Sequence, residues 1–276
     1  MWRKRSADDG DALLARLGRL TAQARDLAVL RRSQVELAIA LQRDMLPRHM
    51  PRVPGVRLAV RYAPADSGLN VGGDWYDAFE LPGGRIGLSV GDVQGHTTEA
   101  AAFMGQVRVA LRALASVTSE PGELLARTND LLLSLGSGLF ATCTFIRLDP
   151  AAGSLESARA GHVPAVWATA DGGSGICLDA GGPPLGVQER MEYPVTRYPL
   201  PAGGVFVLLT DGVVEGPRLD VDHGLARVVH LVEVGAVAGL DADALAASVI
   251  RAAEHVGHDD DAAVLVIARE RPASRP

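Results

Sequence analysis

The chain is short of several things that would decide its chemistry early. It has two cysteines in 276 residues, Cys143 and Cys177. Two cysteines make neither a disulfide framework nor a zinc site. No cysteine or histidine cluster stands at ligand spacing, so zinc is not expected. Aromatics are 4% of residues and lysine is almost absent beside arginine, a GC-rich coding bias rather than a functional signal. The net charge of −6 argues against a nucleic-acid binder, which would show a basic face. No apolar run approaches the roughly 20 residues of a membrane span. The basic start "MWRKRSADDG" has no apolar run behind it and does not read as a signal peptide. "GGDWYD", "GGRIG" and "GGPPLG" lack Walker or dinucleotide spacing, and no serine sits in a nucleophile elbow. The expectation is a cytoplasmic protein with 47% hydrophobic and 22% charged residues, an ordinary globular balance.

From Asp11 to Leu46 there is no proline and one glycine. Leu13, Leu17, Leu20, Ala24 and Leu27 follow steps of four and three; the pattern slips at Leu30 and resumes at Leu37 and Leu41. This predicts a long amphipathic helix with coiled-coil spacing. Either it lies on the surface of its own domain, or it is a stalk that dimerises or receives a signal. "LPRHMPRVPG", Leu46 to Gly55, stops it with three prolines. The expected division is 1–50 for helix and linker, 51–271 for one domain and 272–276 for a disordered tail.

Past the prolines, Val56, Leu58, Val60 and Tyr62 alternate with polar or small residues, a half-exposed strand. A hairpin turns at Pro82-Gly83-Gly84. Helices are expected at Thr98 to Val117, Pro121 to Leu135, Gly224 to Val234 and Ala242 to Val256. Strands are expected at Phe140 to Leu148, Leu155 to Ala160, Ala165 to Ala168, Val205 to Thr210 and Ala263 to Ala268, with a mobile Gly- and Pro-rich loop from Asp171 to Gln188. Tight turns between strands and helices in pairs suit an α+β fold of antiparallel sheets covered by helix pairs.

The acids carry the chemistry. Asp74 lies nine residues before Gly83 and Asp92 nine after, so they face each other across an unbulged ladder. Two inward carboxylates at contact distance repel, and a cation removes that cost. "VFVLLTDG" leads a buried strand into Asp211, and "HDDDAAVLVIA" places Asp259, Asp260 and Asp261 before the last strand. If these strands are antiparallel neighbours, four acids converge on one rim. Asp is also common in turns and helix caps, but four at strand ends point to a hard cation, Mg²⁺ or Mn²⁺. The reaction class suggested is metal-assisted phosphoester hydrolysis, with an activated water and no protein nucleophile.

"GGDWYD", "GDVQGH" with "EAAAFMGQVR", "AGHVPAV", "PPLGV", "VFVLLTDGVVE" and "DDDAAVLV" occur in this order. Together they resemble the SpoIIE-like branch of the metal-dependent (PPM, type 2C-like) serine/threonine phosphatases, over about Arg57 to Arg269. The resemblance implies a four-layer αββα sandwich of two antiparallel sheets flanked by helix pairs and preceded by an N-terminal helix. It implies two Mn²⁺ or Mg²⁺ ions held by Asp74, Asp92, Asp211, Asp260 and the backbone carbonyl of Val93, with Asp77 supporting the site through hydrogen bonds or water. Where the family often reads Gly-His-Gly, this chain has Gly95-His96-Thr97. His96 is an acid or phosphate contact, or a helix-start residue; His162 is structural and His258 a loop residue. The implied substrate is a phosphorylated STAS-type anti-sigma-factor antagonist. A silent binding module for the same regulators and a small-molecule phosphatase are the alternatives. "LQRDMLP" matches the end of the helix that precedes the domain in that family. Deleting residues 1–40 is expected to change activity or oligomeric state. Light scattering and phosphatase assays check this; an unchanged, monomeric, fully active domain refutes it.

Overall fold

The computed structural model describes residues 16–33, 36, 40, 45–64, 72–95, 97–216, 219–256 and 260–271. Residues 16–33 form helix α1. Every one of them is exposed, with Leu17, Leu20 and Leu27 at 52%, 54% and 66%. The described part of the body therefore does not cover the apolar stripe. Residues 36, 40 and 45 are also helical; the other positions of the expected helix beyond 16–33, and the 272–276 tail, lie outside the described residues. Leu46 is buried in one cluster with Phe103, Met104 and Val107, and Met45 packs beside it.

The body has two five-stranded antiparallel sheets. One is ordered β1 (Val56–Ala63), β10 (Ala262–Arg269), β9 (Val205–Leu209), β6 (Val166–Ala168), β7 (Ser174–Ile176). The other is β2 (Trp75–Leu81), β3 (Arg85–Val93), β4 (Ala141–Asp149), β5 (Ser154–Ala160), β8 (Val195–Pro199). The sheets meet through Leu88, Val90 and Ile146 on one side and Phe206, Leu208 and Leu265 on the other. Helices α2 (Thr98–Leu114) and α3 (Pro121–Leu135) cover the second sheet, packing Met104, Val107 and Leu124 on Trp75, Cys143 and Phe145. Helices α4 (Val221–Ala238) and α5 (Ala242–Val256) cover the first, packing Leu225, Val232 and Leu245 on Val207, Val264 and Val266. This is the expected αββα sandwich. Its central strands alternate between two apolar layers and bury both faces, which is why Val205 to Leu209 reads as continuously hydrophobic.

Local chemistry sets the element ends. Thr97 caps α2 by accepting from the Ala100 amide, Glu120 caps α3 ahead of Pro121, and Asp220 caps α4 through the His223 amide. The Asp220 cap starts α4 three residues earlier than the apolar pattern indicates, and Gly239 ends it in the left-handed conformation. Helix α2 stops at Leu114, short of the expected Val117. Strands β7 and β8 were not expected. The first has three residues, and the second is an edge strand with a polar, half-exposed pattern and a proline. The segment Asp171 to Gln188 is not the mobile loop its glycines suggest. Leu185 and Cys177 are buried, Leu185 and Ala141 exchange both backbone hydrogen bonds, and Arg159 holds Asp179 at 2.5 Å.

One buried ion pair ties α2 to the sheet beneath it. Asp77 is 1% exposed and accepts from Arg108 at 3.2 Å and Arg112 at 2.8 Å. Arg112 also lies over the Phe79 ring at 5.0 Å. Asp77 has the strand parity of Trp75, not Asp74, so it faces the helices. The expectation that it supports the acid site by hydrogen bonds is corrected: its hydrogen bonds are spent on α2. Removing it strands Arg108, which is 13% exposed, whereas Arg112 is 45% exposed. Urea denaturation should show Asp77→Ala costing roughly 3 kcal/mol and Arg112→Ala roughly 1 kcal/mol.

Candidate metal centre

The β2–β3 ladder pairs Trp75 with Gly91 and Leu81 with Arg85, a register centred on Gly83 with no bulge. Continuing it by one step brings Asp74 opposite Asp92. Two glycines make room at this corner. A side chain at Gly91 would begin 2.2 Å from the Trp75 indole, so Gly91 is the slot that receives Trp75 on the helix-covered face. A Cβ at Gly73 would lie 2.5 Å from the Val93 carbonyl oxygen and 2.9 Å from an Asp92 carboxylate oxygen. The chain before β2 thus lies directly on the Asp92–Val93 backbone, an approach only glycine permits. Tyr76, with the parity of Asp74, packs between the sheets near Tyr62, their rings 6.5 Å apart.

The sheet containing β9 and β10 brings its acids to the same rim. Strands β9 and β10 are antiparallel neighbours, Leu209 beside Val264, so the end of β9 meets the start of β10. Asp211 follows β9 directly, and one of its oxygens accepts from the Gly212 amide at 2.9 Å. Asp74, Asp92 and Asp211 each offer an oxygen within 4.8 Å of the others. Asp74 is buried, while Asp92 and Asp211 are half-buried. Asp260 is exposed at the mouth and close enough to raise the pKa of both Asp92 and Asp211. Asp261 turns inward, 3% exposed, and accepts a hydrogen bond from the Tyr62 hydroxyl. The neighbouring acids thus diverge, one at the mouth and one in the wall. His96, His258 and Asp259 lie outside the described residues.

Two residues at the rim were not singled out, or only partly understood, from the sequence. Thr210 is fully buried and donates to Asp74 Oδ2 at 2.7 Å. Its signal was its place in "LLTDG", directly before Asp211. His162 is 3% exposed, with Nδ1 2.8 Å from the hydroxyl of Thr142, the residue paired with Asp92. Burial, helped by the Arg159 charge, pushes its pKa down to about 3. It therefore stays neutral at working pH, a structural part of the wall.

The acids repel in the absence of a cation. Burial, then Asp92 and Asp211, hold the Asp74 carboxyl well above the ordinary range. Burial, then Asp211 and Asp260, push Asp92 up to about 8. Burial and Asp260 raise Asp211. The donor set is oxygen only, and the gap at Gly73 keeps the Val93 carbonyl free of side-chain cover. Such a set fits a hard divalent cation.

Residues 82–270 match the family Stage II sporulation protein E (SpoIIE). The chain is 24% identical over 185 residues to phosphoserine phosphatase RsbU of Bacillus subtilis, covering 67% of this chain and 54% of RsbU. The solved structure of the RsbU and RsbW domains of Rv1364c from Mycobacterium tuberculosis superposes with a TM-score of 0.75 at 31% identity, over 83% of this chain and 64% of that one. The catalytic domain of the serine/threonine phosphatase PstP, solved with two manganese ions, shares the fold at a TM-score of 0.56 and 17% identity, over 77% of this chain and 97% of that one. The chain spans from about a quarter to about half the length of the curated relatives it matches.

The raised carboxyls fix the pH response of the metal-free protein. A carboxyl with a raised pKa in the fold binds more protons folded than unfolded. Stability at Asp92 therefore falls as pH rises from about 4 to about 8. In chelator, melting should show a loss of roughly 2 kcal/mol between about pH 5.5 and pH 8. Asp92→Asn should flatten that slope, and Mn²⁺ should abolish it in the wild-type chain.

Proposed function

Because the chain belongs to the SpoIIE family, we propose that it is a metal-dependent phosphoprotein phosphatase acting on phosphoserine or phosphothreonine. The observation that carries this reading is the convergence of Asp74, Asp92 and Asp211 within 4.8 Å on one rim of the two sheets. Asp74, Asp92, Asp211, Asp260 and the Val93 carbonyl would hold two Mn²⁺ or Mg²⁺ ions. When bound, such ions supply positive charge to the phosphoryl oxygens and lower the pKa of an attacking water.

The protein's own groups divide the remaining work. Asp74, sunk in the wall, anchors the inner side of the centre. Asp92 and Asp211 are half-buried and Asp260 is exposed, so the outer side opens to solvent at the strand ends. A phosphoserine side chain is short, and an acidic rim at surface level suits a phosphate presented on another protein better than a deep small-molecule cleft does. His96 is proposed as an acid or phosphate contact. His162, neutral and enclosed, takes no proton-transfer role.

The proposed substrate is a phosphorylated STAS-type anti-sigma-factor antagonist in a partner-switching pathway. The RsbU relative, named a phosphoserine phosphatase, supports this class. Helix α1, with its exposed stripe, is proposed to join a second copy or an upstream signalling partner.

Release of phosphate from a phosphorylated STAS domain should require Mn²⁺ or Mg²⁺ and stop with chelator. Asp92→Asn and Asp211→Asn should each lower turnover by about a thousandfold or more while the domain stays folded by circular dichroism. Full activity in both variants sinks the metal-centre reading. Binding of the STAS protein without turnover would make the chain a silent module. Turnover only of small phosphoesters would remove the protein substrate.

A further inference from the structure

Three of the four acid-bearing segments of the rim meet at one neutral residue, Thr210. It follows the last residue of β9 and precedes Asp211 directly. Its backbone amide donates to the Ala263 carbonyl at 3.1 Å, and the Ala263 amide donates back to its hydroxyl oxygen at 2.9 Å. Ala263 stands two residues after Asp261 and three after Asp260, so this bracket fixes where β10 begins relative to Asp211. The same hydroxyl reaches across to the other sheet and donates to Asp74 Oδ2 at 2.7 Å.

Proton accounting makes the contact directional. A threonine hydroxyl has one proton and two lone pairs. The Ala263 N–H occupies one lone pair, and the hydroxyl proton points to Asp74 Oδ2. A carboxylate that ligates a cation carries no proton, so in that state Oδ2 accepts. The side chain cannot rotate away without leaving the buried Ala263 amide and Asp74 oxygen unpartnered, a cost paid in full at 0% exposure. Both faces of the hydroxyl are used, and neither use is the ordinary ladder bonding of the sheet. Valine has the same shape and would pack equally well, so packing alone does not explain a hydroxyl here.

From this we infer that Thr210 is the positioning residue of the metal centre: its hydroxyl, aimed by the Ala263 amide, holds Asp74 of one sheet in the orientation that meets Asp92, and in register with Asp211 of the other. The inference rests on the metal-centre reading above. Thr210 touches neither the phosphate nor the reacting atoms; it acts through Asp74. Its effect belongs in cation affinity more than in substrate affinity.

The test is calorimetric titration of Mn²⁺ into the full chain, without substrate, for the wild type, Thr210→Val, Thr210→Ala, Thr210→Ser and Asp92→Asn. Thr210→Val and Thr210→Ala should each raise the Mn²⁺ dissociation constant by about tenfold or more, as losing a residue that orients a metal ligand does. Thr210→Ser keeps the hydroxyl and should stay within about threefold of wild type. In turnover assays the Mn²⁺ needed for half-maximal rate should rise in step, while KM for the phosphoprotein at saturating Mn²⁺ stays unchanged. The alanine variant adds no bulk and gives the same comparison if valine prevents folding. Wild-type Mn²⁺ affinity in the valine or alanine variant overturns the role of Thr210, as does a serine variant as weak as valine. A wild-type chain whose Mn²⁺ binding is absent, or is unaffected by Asp92→Asn, overturns the metal-centre reading and this inference with it.

Discussion

Like charges forced together are the constraint on which this structure turns. Three carboxylates within 4.8 Å of one another, one of them buried, are an unfavourable arrangement for any chain that binds nothing there. Among the described residues, the arginine pair of α2 is committed to Asp77 on the far side of the sheet, and two neutral groups, the Thr210 hydroxyl and the Gly212 amide, donate to Asp74 and Asp211. These contacts orient the acids without cancelling their charge, and the proposed cation would supply the opposite charge from outside.

The rest of the architecture serves that arrangement. Two sheets packed face to face bring the ends of β9 and β3 to one edge, and a layer of helices on each outer face lets the central strands be apolar on both sides. The hairpin register is held by a short turn, and the Trp75 indole keyed over Gly91 resists slippage. A one-residue slip would send Asp74 to the helix side and turn Asp77 in between the sheets.

Much of this was legible in the chain because strand geometry is strict. Counting outward from Gly83 places Asp74 opposite Asp92 with no knowledge of the fold, since an unbulged hairpin has one free parameter. The neighbouring of β9 and β10 is a condition that the two apolar runs flanked by acids leave open and the structure meets. What was not legible had specific causes. Asp77 reads as a support of the site only through the family resemblance, whereas its parity with Trp75 places it on the other face. Arg108 and Arg112, four apart on α2, were the partners that parity would have demanded. The choice between Asp260 and Asp261 turns on which carboxylate faces inward where a strand begins, and alternation has no hold before the ladder starts. Thr210 reads from sequence as one more β-former; its hydroxyl matters only because residues 136 positions apart meet. The Asp171 to Gln188 segment is rich in glycine, which signals freedom to bend, but its backbone is pinned to β4 and β5 by hydrogen bonds that composition does not encode.

The pairing of β1 with β10 joins the first strand of the body to its last, Val56 beside Arg269 and Ala63 beside Ala262. Seen from the ribosome, the sheet that carries Asp211 cannot close until its final strand has emerged. The rim therefore stays unassembled until β10 has been made, with Asp74 and Asp92 synthesised long before the strand that lies between β1 and β9. A chain interrupted before β10 already holds Asp74, Asp92 and Asp211 but lacks the strand that joins β1 to β9.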